Sequence, residues 1–326
     1  MSADVWVLYD GKVGLRSQVA GVAEAVGLPF VEKKLSIRYP WKGLPPLLWW
    51  NATAAASRTG DRLSPPWPRL VIAAGGRAAA PALAIRRKNH GRTFVVQIQD
   101  PKIPPERFDL MIVADHDKVR GENVMVSLGA VHPVTPAKLA AAAELWRPRL
   151  AHLPHPRVAV VIGGDNGVYR LTPAIMSGIA EQLAALVRAG AGLTITTSRR
   201  TGAEAEAILR AKLAEPGIDP AAIEIWSGGG ENPYFGYLGL ADHILVTADS
   251  VSMITEASAS GKPVHVLPLE GGSRKFERFH QAMLAAGITR SFDGTLQSWS
   301  YAPRDDTGAA GARIRQMMQD RGLWPA

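Results

Sequence analysis

Short apolar runs alternate with helix-favouring segments along the whole chain. The first half contains four runs typical of buried strands, at Val5–Tyr9, Leu70–Ala74, Phe94–Ile98 and Leu110–Val113. The second half contains five more, at Val158–Ile162, Leu193–Thr197, Ile223–Trp226, Ile244–Thr247 and Val264–Leu267. Strands that alternate with helices favour parallel sheets joined by right-handed crossovers. The sequence therefore predicts an α/β protein.

A proline-rich segment at 152–157 separates the two series of strands and predicts an interdomain linker. A chain of 326 residues is long for a single hydrophobic core, so two domains are expected. We predict a Rossmann-like domain over residues 1–150 and a second over 151–305. Residues 306–326 are predicted to form a C-terminal helix that crosses back to the first domain.

Polar or glycine-rich turns follow three strands of the second half, at the strand ends where open α/β sheets bind ligands. The backbone amides of the first turn could cradle a diphosphate, although it lacks a full dinucleotide fingerprint. The second turn offers guanidinium groups, which pair with phosphate oxygens. An ordinary capped or solvated turn also explains each one taken singly. Together they predict phosphate binding by Gly163, Gly164, Asn166, Gly167, Ser198, Arg199 and Arg200.

The third turn opens a helix between two strands. Ser250 and Ser252 supply hydroxyls at the helix start, where bare amides favour an anion. Glu256 lies one or two helical turns further on, close enough to reach a sugar hydroxyl beside that anion. Gly261 and Pro263 end the helix.

Charge and tryptophan are concentrated in the first half. Residues 1–150 hold 21 Lys and Arg against 12 Asp and Glu, whereas residues 151–326 hold 16 against 17. Six of the nine tryptophans also lie in residues 1–150, and Lys42, Trp49 and Trp50 belong to a stretch that interleaves cations with aromatics. Such a stretch suits an anionic membrane surface, or else it is a proline-broken loop with core aromatics. No nucleic-acid module is recognisable, so nucleic acid is not an expected partner.

Cysteine content and apolar runs indicate the cellular compartment in which the chain is expected. The chain has no cysteine, which excludes disulfides and thiolate chemistry. Its first residues lack the basic start and apolar core of a signal peptide, and no run of 18 apolar residues occurs. The expected location is cytoplasmic, with peripheral attachment to the inner face of the cytoplasmic membrane.

The stretch from 241 to 268 resembles the donor-nucleotide motif of GT-B glycosyltransferases. It is most similar to the family that adds N-acetylglucosamine to lipid-linked muramyl-peptide. The matching positions are Ala241, Asp242, Ser252, Glu256, Gly261, Lys262, Pro263 and Pro268. The resemblance implies a GT-B fold, in which two Rossmann-like domains have parallel sheets facing a central cleft. It also implies that Glu256 binds ribose hydroxyls and that Ser250 and Ser252 bind the diphosphate.

The whole chain also resembles the bacterial relatives of the plant mitochondrial-fission Elm1-type proteins. The matching segments are Asp10-Gly11-Lys12 with Gln18, 108–117, Asn123-Val124, 129–132, Gly163-Gly164, 197–201 and 231–234. The last of these places Asn232 among the donor-binding candidates. This sequence departs from the family pattern at Leu15, so a first-loop histidine base cannot be carried over. Plant members are implicated in recruiting a division factor to the organelle.

These resemblances imply a metal-independent transfer of a sugar from a nucleotide-diphosphate donor, a UDP-sugar, to a membrane-associated acceptor. The donor is a substrate, and no cofactor is expected. Asp10 is the leading candidate for the base that deprotonates the acceptor, with His116 and Asp117 as alternatives. Two other functions remain open. One is a catalytically inactive interaction or recruitment protein at a membrane, and the other is a UDP-sugar epimerase.

Overall fold

The computed structural model describes residues 4–55 and 59–325. The chain divides into two compact units. Unit 1 comprises residues 1–133 and 305–326, and unit 2 comprises residues 134–304.

Unit 1 is built on a parallel sheet of six strands within the described residues, in the order β2-β1-β3-β4-β5-β6. Two helices lie between its strands in the chain. The elements are β1 (Val5–Tyr9), α1 (Val13–Val26), β2 (Phe30–Lys34), β3 (Leu70–Ala74), α2 (Gly76–Lys88), β4 (Phe94–Ile98), β5 (Leu110–Ala114) and β6 (Val124–Ser127).

The central strands of unit 1 are buried on both faces, as their continuous apolar runs predict. Along β1, Val5 and Val7 pack in one hydrophobic cluster with residues of α1. Trp6 and Leu8 point to the other face and pack with residues of α2. Successive side chains of a strand point to opposite faces of the sheet, which explains why these residues alternate between the two clusters.

Unit 2 contains a second parallel sheet, with six strands among the described residues in the order β10-β9-β7-β11-β12-β14. A short antiparallel pair, β8 with β13, lies outside it. The elements are α3 (Pro136–Leu150), β7 (Arg157–Ile162), β8 (Tyr169–Arg170), α4 (Pro173–Arg188), β9 (Gly192–Thr197), α5 (Gly202–Leu213), β10 (Ile223–Trp226), α6 (Tyr234–Leu240), β11 (His243–Thr247), α7 (Val251–Ser258), β12 (Val264–Leu267), β13 (Glu270–Gly271), α8 (Arg274–Ala285) and β14 (Thr289–Ser291).

Helix α3 belongs to unit 2, so the units divide at residue 133, whereas the sequence placed the division at residue 150. The reason is close packing of α3 against α6. A Cβ atom at Gly239 would lie 2.6 Å from the Leu139 carbonyl oxygen, and one at Gly236 would lie 2.5 Å from the Trp146 ring. The glycines of α6 therefore let the backbones of α3 and α6 approach closely. This packing holds α3 in unit 2, although α3 precedes the proline-rich segment at 152–157 that was predicted to be the linker.

The C-terminal helix α9 (Asp306–Asp320) belongs to unit 1, far from the rest of that unit in sequence. It packs against α1, and a Cβ atom at Gly311 would lie 2.5 Å from the Ala25 backbone. Ile314 and Met318 are fully buried in the same hydrophobic cluster as β1. Helix α9 is thus part of the core of unit 1.

The strand order reverses at one point in each sheet. In unit 1 this point lies between β1 and β3, and in unit 2 it lies between β7 and β11. In open α/β sheets, ligands bind in the crevice outside the carboxyl ends of the strands at such a point. The structure confirms the predicted α/β architecture of two Rossmann-like units. Ligand-binding sites are expected at the two switch points.

Candidate functional site

A buried carboxylate lies at the centre of the switch point in unit 2. The side chain of Asp249, just after β11, is fully buried. Thr247 Oγ1 donates a hydrogen bond to Asp249 Oδ1 at 2.6 Å, and Gly164 N donates to Oδ2 at 3.1 Å. The Arg200 guanidinium lies 2.7 Å from Oδ2. Asp249 therefore joins the turns after β7, β9 and β11 into one cluster, a role that sequence reasoning missed.

The glycine turn after β7 is held by the protein itself. Gly163 N donates to Thr247 Oγ1 at 2.7 Å, Asp165 N to the Arg200 carbonyl at 3.3 Å, and Asn166 N to the Tyr169 carbonyl at 3.0 Å. With Gly164 N bound to Asp249, these amides have no free hydrogen for a diphosphate. The expectation of a diphosphate cradle is corrected for the amides of residues 163–166, because side chains at the end of β11 and the carbonyls of Arg200 and Tyr169 supply their acceptors.

Close packing, not ligand binding, explains why two positions of this turn are glycine. A Cβ atom at Gly163 would lie 2.2 Å from Asp249 Oδ1, and one at Gly164 would lie 2.0 Å from the Arg200 carbonyl oxygen. Asn166 also serves the turn, since its amide nitrogen donates to the Asp249 carbonyl and its oxygen accepts from Val168 N. Gly167 is exposed, with open space where its Cβ would be.

The turn after β9 separates its two arginines. The Arg200 charge is opposed by Asp249, as described above. Arg199 is exposed, and its side chain has no hydrogen-bond or ion-pair partner within residues 4–55 and 59–325. Ser198 Oγ donates to the Gly163 carbonyl at 3.0 Å and accepts from Arg200 N at 3.1 Å. The guanidinium available to a ligand is therefore that of Arg199, and Ser198 and Arg200 shape the turn.

The start of helix α7 lies after the same switch-point strand. Ser250 is the N-cap, and its hydroxyl accepts from Met253 N at 3.3 Å. Ser252, in the first turn, is half-buried and its hydroxyl has no partner among the described side chains. The first amides of a helix have no intrahelical acceptor, and the helix dipole favours an anion there. At this switch point, the helix start and Arg199 are the groups whose charge and free donors suit an anion.

Glu256 lies further along α7 and is almost completely buried. Tyr234, the first residue of α6, donates a hydrogen bond from its hydroxyl to Glu256 Oε2 at 2.9 Å. Burial raises the pKa of Glu256 to about 7, although the Tyr234 hydrogen bond acts in the opposite direction. Burial and the Glu256 charge raise the pKa of Tyr234 well above its ordinary value. Asn232 accepts from Tyr234 N at 3.0 Å, so it positions the tyrosine.

The candidate bases lie in unit 1. Asp10 follows β1 at the switch point, with Lys12 Nζ and Arg77 Nη1 each 3.8 Å from its Oδ2. His116 and Asp117 follow β5, and His116 is 5% exposed with its Nε2 3.9 Å from Asp117 Oδ1. Because β5 is three strands from β1, about 14 Å along the sheet, the structure does not bring these two residues to Asp10.

The aromatic segment of unit 1 is only partly exposed. Trp50 is 57% exposed and Lys42 is exposed, whereas Trp49 is 5% exposed. Trp49 Nε1 donates to the Leu44 carbonyl at 2.9 Å, and its ring packs in a cluster with Ala80 and Ala84 of α2. The expectation that Trp49 faces a membrane is corrected, because the ring completes a core. The exposed apolar side chains of this segment are Tyr39, Leu47, Leu48 and Trp50.

The described residues contain neither a metal-binding cluster nor a bilayer-spanning helix. Across residues 4–55 and 59–325, no group of three or more His, Asp or Glu side chains is placed to hold a metal ion. No helix in this part of the chain is long and apolar enough to span a bilayer.

The model of the mitochondrial fission ELM1 family matches residues 13–318. The chain belongs to this family. Mitochondrial fission protein ELM1 of Arabidopsis thaliana is 33% identical over 281 residues, which cover 78% of this chain and 65% of that protein. The chain thus spans slightly less than two thirds of the plant relative.

Solved structures show the fold of this ELM1-family chain. UDP-GlcNAc 2-epimerase from Methanocaldococcus jannaschii aligns with a TM-score of 0.57 at 12% identity, over 97% of this chain and 99% of that one. The spinosyn forosaminyltransferase SpnP aligns with a TM-score of 0.50 at 13% identity, over 98% and 95% of the two chains. The chain has the GT-B fold, as predicted from the sequence.

Proposed function

We propose that this protein is a GT-B glycosyltransferase that moves a sugar from a UDP-sugar to a membrane-associated acceptor without a metal ion. The observation that carries the proposal is the grouping of Arg199, the start of α7 and buried Glu256 at the switch point of unit 2. This grouping offers a cation and bare amides for a diphosphate, and a carboxylate for a diol. The solved structures of the same fold bear names of enzymes that act on UDP-GlcNAc or transfer a sugar.

In this scheme the bond between the sugar C1 and the β-phosphate oxygen breaks, and its electron pair leaves with UDP. Arg199, the hydroxyl of Ser252 and the first amides of α7 oppose the charge that develops on the diphosphate. Glu256 accepts hydrogen bonds from the ribose hydroxyls, with Tyr234 holding the carboxylate in place. The nucleotide sugar is a substrate, and no cofactor takes part.

The acceptor supplies the oxygen that forms the new bond to C1. Its hydroxyl proton passes to Asp10, whose carboxylate lies at the carboxyl end of β1 in unit 1. A membrane-associated acceptor is supported by the exposed side chains of Leu47, Leu48 and Trp50 beside Lys42. Trp side chains favour the membrane interface and Lys side chains favour anionic lipids.

Two other functions each have an observation in their favour. A recruitment protein without catalysis fits the name of the plant relative and the leucine at position 15. An epimerase fits the name of the archaeal structure. An epimerase needs no acceptor, so it would leave the exposed apolar side chains of unit 1 without a role.

Nucleotide binding tests the donor half of the proposal. We expect UDP and UDP-GlcNAc to raise the melting temperature of the full chain more than ADP, GDP or CDP does. Arg199→Ala should weaken UDP binding by about ten- to a hundredfold, because a charge-assisted hydrogen bond contributes about 1.5–3 kcal/mol. Arg188→Ala, which removes an exposed arginine of α4, is the matched control. Failure of every nucleotide to bind at millimolar concentration would overturn the proposal.

Turnover separates the three functions. With labelled UDP-GlcNAc and membrane lipid extract, a transferase gives a labelled lipid and UDP. An epimerase gives the 2-epimer of the donor without added lipid. If the protein binds UDP but yields neither product, the transferase proposal fails. That outcome favours the recruitment protein without catalysis.

A further inference from the structure

We propose that the cavity at the switch point of unit 1 binds an acceptor that carries both a phosphate group and a hydroxyl. The hydroxyl donates to Asp10 while the phosphate lies against three cationic side chains. This inference rests on the proposed function, because it names the chemical class of the acceptor.

The cavity has a volume of about 260 Å³ and lies at the carboxyl end of the sheet in unit 1. Asp10 comes from the end of β1, Lys34 from the end of β2 and Arg77 from the start of α2, while Lys42, Ser36 and Thr59 complete the polar lining. Drug-sized ligands occupy pockets of about 300–1,000 Å³. This volume suits one compact polar moiety, such as a phosphorylated polyol.

The cations in the cavity outnumber the acids. Lys34 and Lys42 have no carboxylate partner among the described residues, and Arg77 approaches Asp10 only to 3.8 Å. The one acidic side chain of the lining is Asp10. Ammonium and guanidinium groups gathered without matching acids favour an anion, and the planar guanidinium matches phosphate oxygens. The surplus of positive charge therefore selects a phosphate-bearing ligand over a neutral sugar.

Asp10 imposes a second requirement on the ligand. Its side chain is 8% exposed, and no hydrogen bond from the described residues reaches Oδ1. The two cations that face Oδ2, those of Lys12 and Arg77, lie at 3.8 Å, beyond hydrogen-bond distance. Buried carboxylate oxygens are normally hydrogen-bonded, so the missing partner is a donor. A phosphate oxygen cannot donate when ionised, whereas a hydroxyl on the same molecule can.

The phosphate could belong to a lipid headgroup or to a soluble sugar or polyol phosphate. Both have the same chemistry at this cavity: an anion for Lys34, Lys42 and Arg77, and a hydroxyl for Asp10. The probes are therefore inorganic phosphate, glycerol 3-phosphate, and vesicles of phosphatidylcholine with or without phosphatidylglycerol, whose headgroup carries a phosphate and free hydroxyls.

Lysine acetylation read by mass spectrometry tests the cavity in the unaltered full chain. We expect glycerol 3-phosphate to slow acetylation of Lys34 and Lys42 several-fold, relative to chloride at the same ionic strength. Lys118, which is exposed and outside the cavity lining, should react at an unchanged rate. Equal reactivity of Lys34 and Lys42 with and without the phosphate would overturn the inference.

Calorimetry with variants separates the two requirements. Arg77→Ala should weaken both glycerol 3-phosphate and inorganic phosphate about tenfold, a change of about 1.4 kcal/mol. Asp10→Ala should remove the preference for glycerol 3-phosphate over inorganic phosphate. Arg87→Ala, in the last turn of α2, is the matched control for a lost cation. Unchanged affinities in Arg77→Ala would contradict the assignment of the phosphate to this cavity.

UDP binding by the same variants keeps the two proposals apart. We expect UDP affinity to be equal in Arg77→Ala and in the unaltered chain, since UDP is assigned to unit 2. Normal UDP binding with no phosphate effect defeats this inference alone, whereas absent UDP binding defeats the proposed function. Vesicle pelleting that requires phosphatidylglycerol and Arg77 assigns the phosphate to a lipid. Binding of glycerol 3-phosphate without such pelleting assigns it to a soluble acceptor.

Discussion

Two carboxylates in unit 2 differ in what surrounds them. Asp249 has a hydroxyl, a backbone amide and a guanidinium around its oxygens, so its charge is matched within the protein. Glu256 has one hydrogen bond, from Tyr234, and burial raises its pKa to about 7. A carboxylate with so few partners has oxygens left for a ligand. At the scale of single residues, Asp249 holds the turns after β7, β9 and β11 together, and Glu256 has an oxygen left for a ligand.

The pKa of Glu256 predicts how stability depends on pH. The folded pKa of about 7 exceeds the ordinary value of 4.5, so the folded chain binds the proton more tightly than the unfolded chain does. The free energy of unfolding should therefore fall by roughly 3 kcal/mol as pH rises from about 4.5 through about 7. Glu256→Gln should remove this slope and make the chain more stable than the unaltered protein above pH 7.

Urea unfolding of the full chain at a series of pH values measures this effect. Glu270→Gln, which alters an exposed acid, is the control and should keep the slope. If Glu256→Gln and the unaltered chain lose stability in parallel as pH rises, the carboxyl is not held protonated in the folded state.

At the scale of elements, the turn after β7 depends on how closely it approaches the turn after β11. Gly163 N and Gly164 N bind Thr247 and Asp249, which lie 84 and 85 residues later in the chain. The absence of side chains at these two glycines lets Asp249 lie against the backbone. The turn is therefore a structural support for the start of α7.

Gly163→Ala tests this close approach. The added Cβ would lie 2.2 Å from Asp249 Oδ1, so the carboxylate must shift and its bond to Arg200 must lengthen. We expect a loss of about 1–3 kcal/mol in the free energy of unfolding. Gly167→Ala, in the same turn but with open space at the Cβ position, should change stability by less than about 0.5 kcal/mol. Equal effects of the two substitutions, measured by urea unfolding, would contradict this explanation.

At the scale of the whole molecule, charge and chain path distinguish the two units. Unit 1 holds 21 Lys and Arg against 14 Asp and Glu, and unit 2 holds 16 against 15. The positive charge therefore belongs to the unit with the phosphate-selective cavity. The chain enters unit 2 at residue 134 and returns to unit 1 at residue 305. Unit 1 is thus complete only when helix α9 has packed against α1.

Ile314→Ala tests the contribution of α9 to unit 1. Ile314 is fully buried in the cluster that includes β1, so its truncation should destabilise unit 1 by about 2–5 kcal/mol. Hydrogen exchange should accelerate at the amides of β1 and β3 and stay unchanged in β7 and β11. The control is Gln316→Ala, at an exposed position of the same helix. Faster exchange in both units alike would show that α9 does not belong to unit 1 in particular.

The sequence by itself determined the features that depend on neighbouring residues. Continuous apolar runs marked four strands of the sheet in unit 1 and five of the sheet in unit 2, and the Ser250 cap with Gly261 marked α7. The strands β2, β6 and β14 were not predicted. The turns after strands indicated where sites lie, and the resemblance implied the fold, whereas the strand order came from the structure. Local hydrogen bonds and the period of apolar side chains govern these features, and a sequence displays both.

Only the tertiary structure decided which groups are left for a ligand, because their partners lie far away in the chain. Thr247, the last residue of β11, and Asp249 just after it bind the amides of Gly163 and Gly164 and the Arg200 guanidinium, whereas Arg199 has no such partner. Trp49 is buried and Trp50 is exposed, although the two are adjacent, because α2 covers one ring only. Whether a polar or aromatic side chain is free depends on long-range packing, which the order of residues does not display.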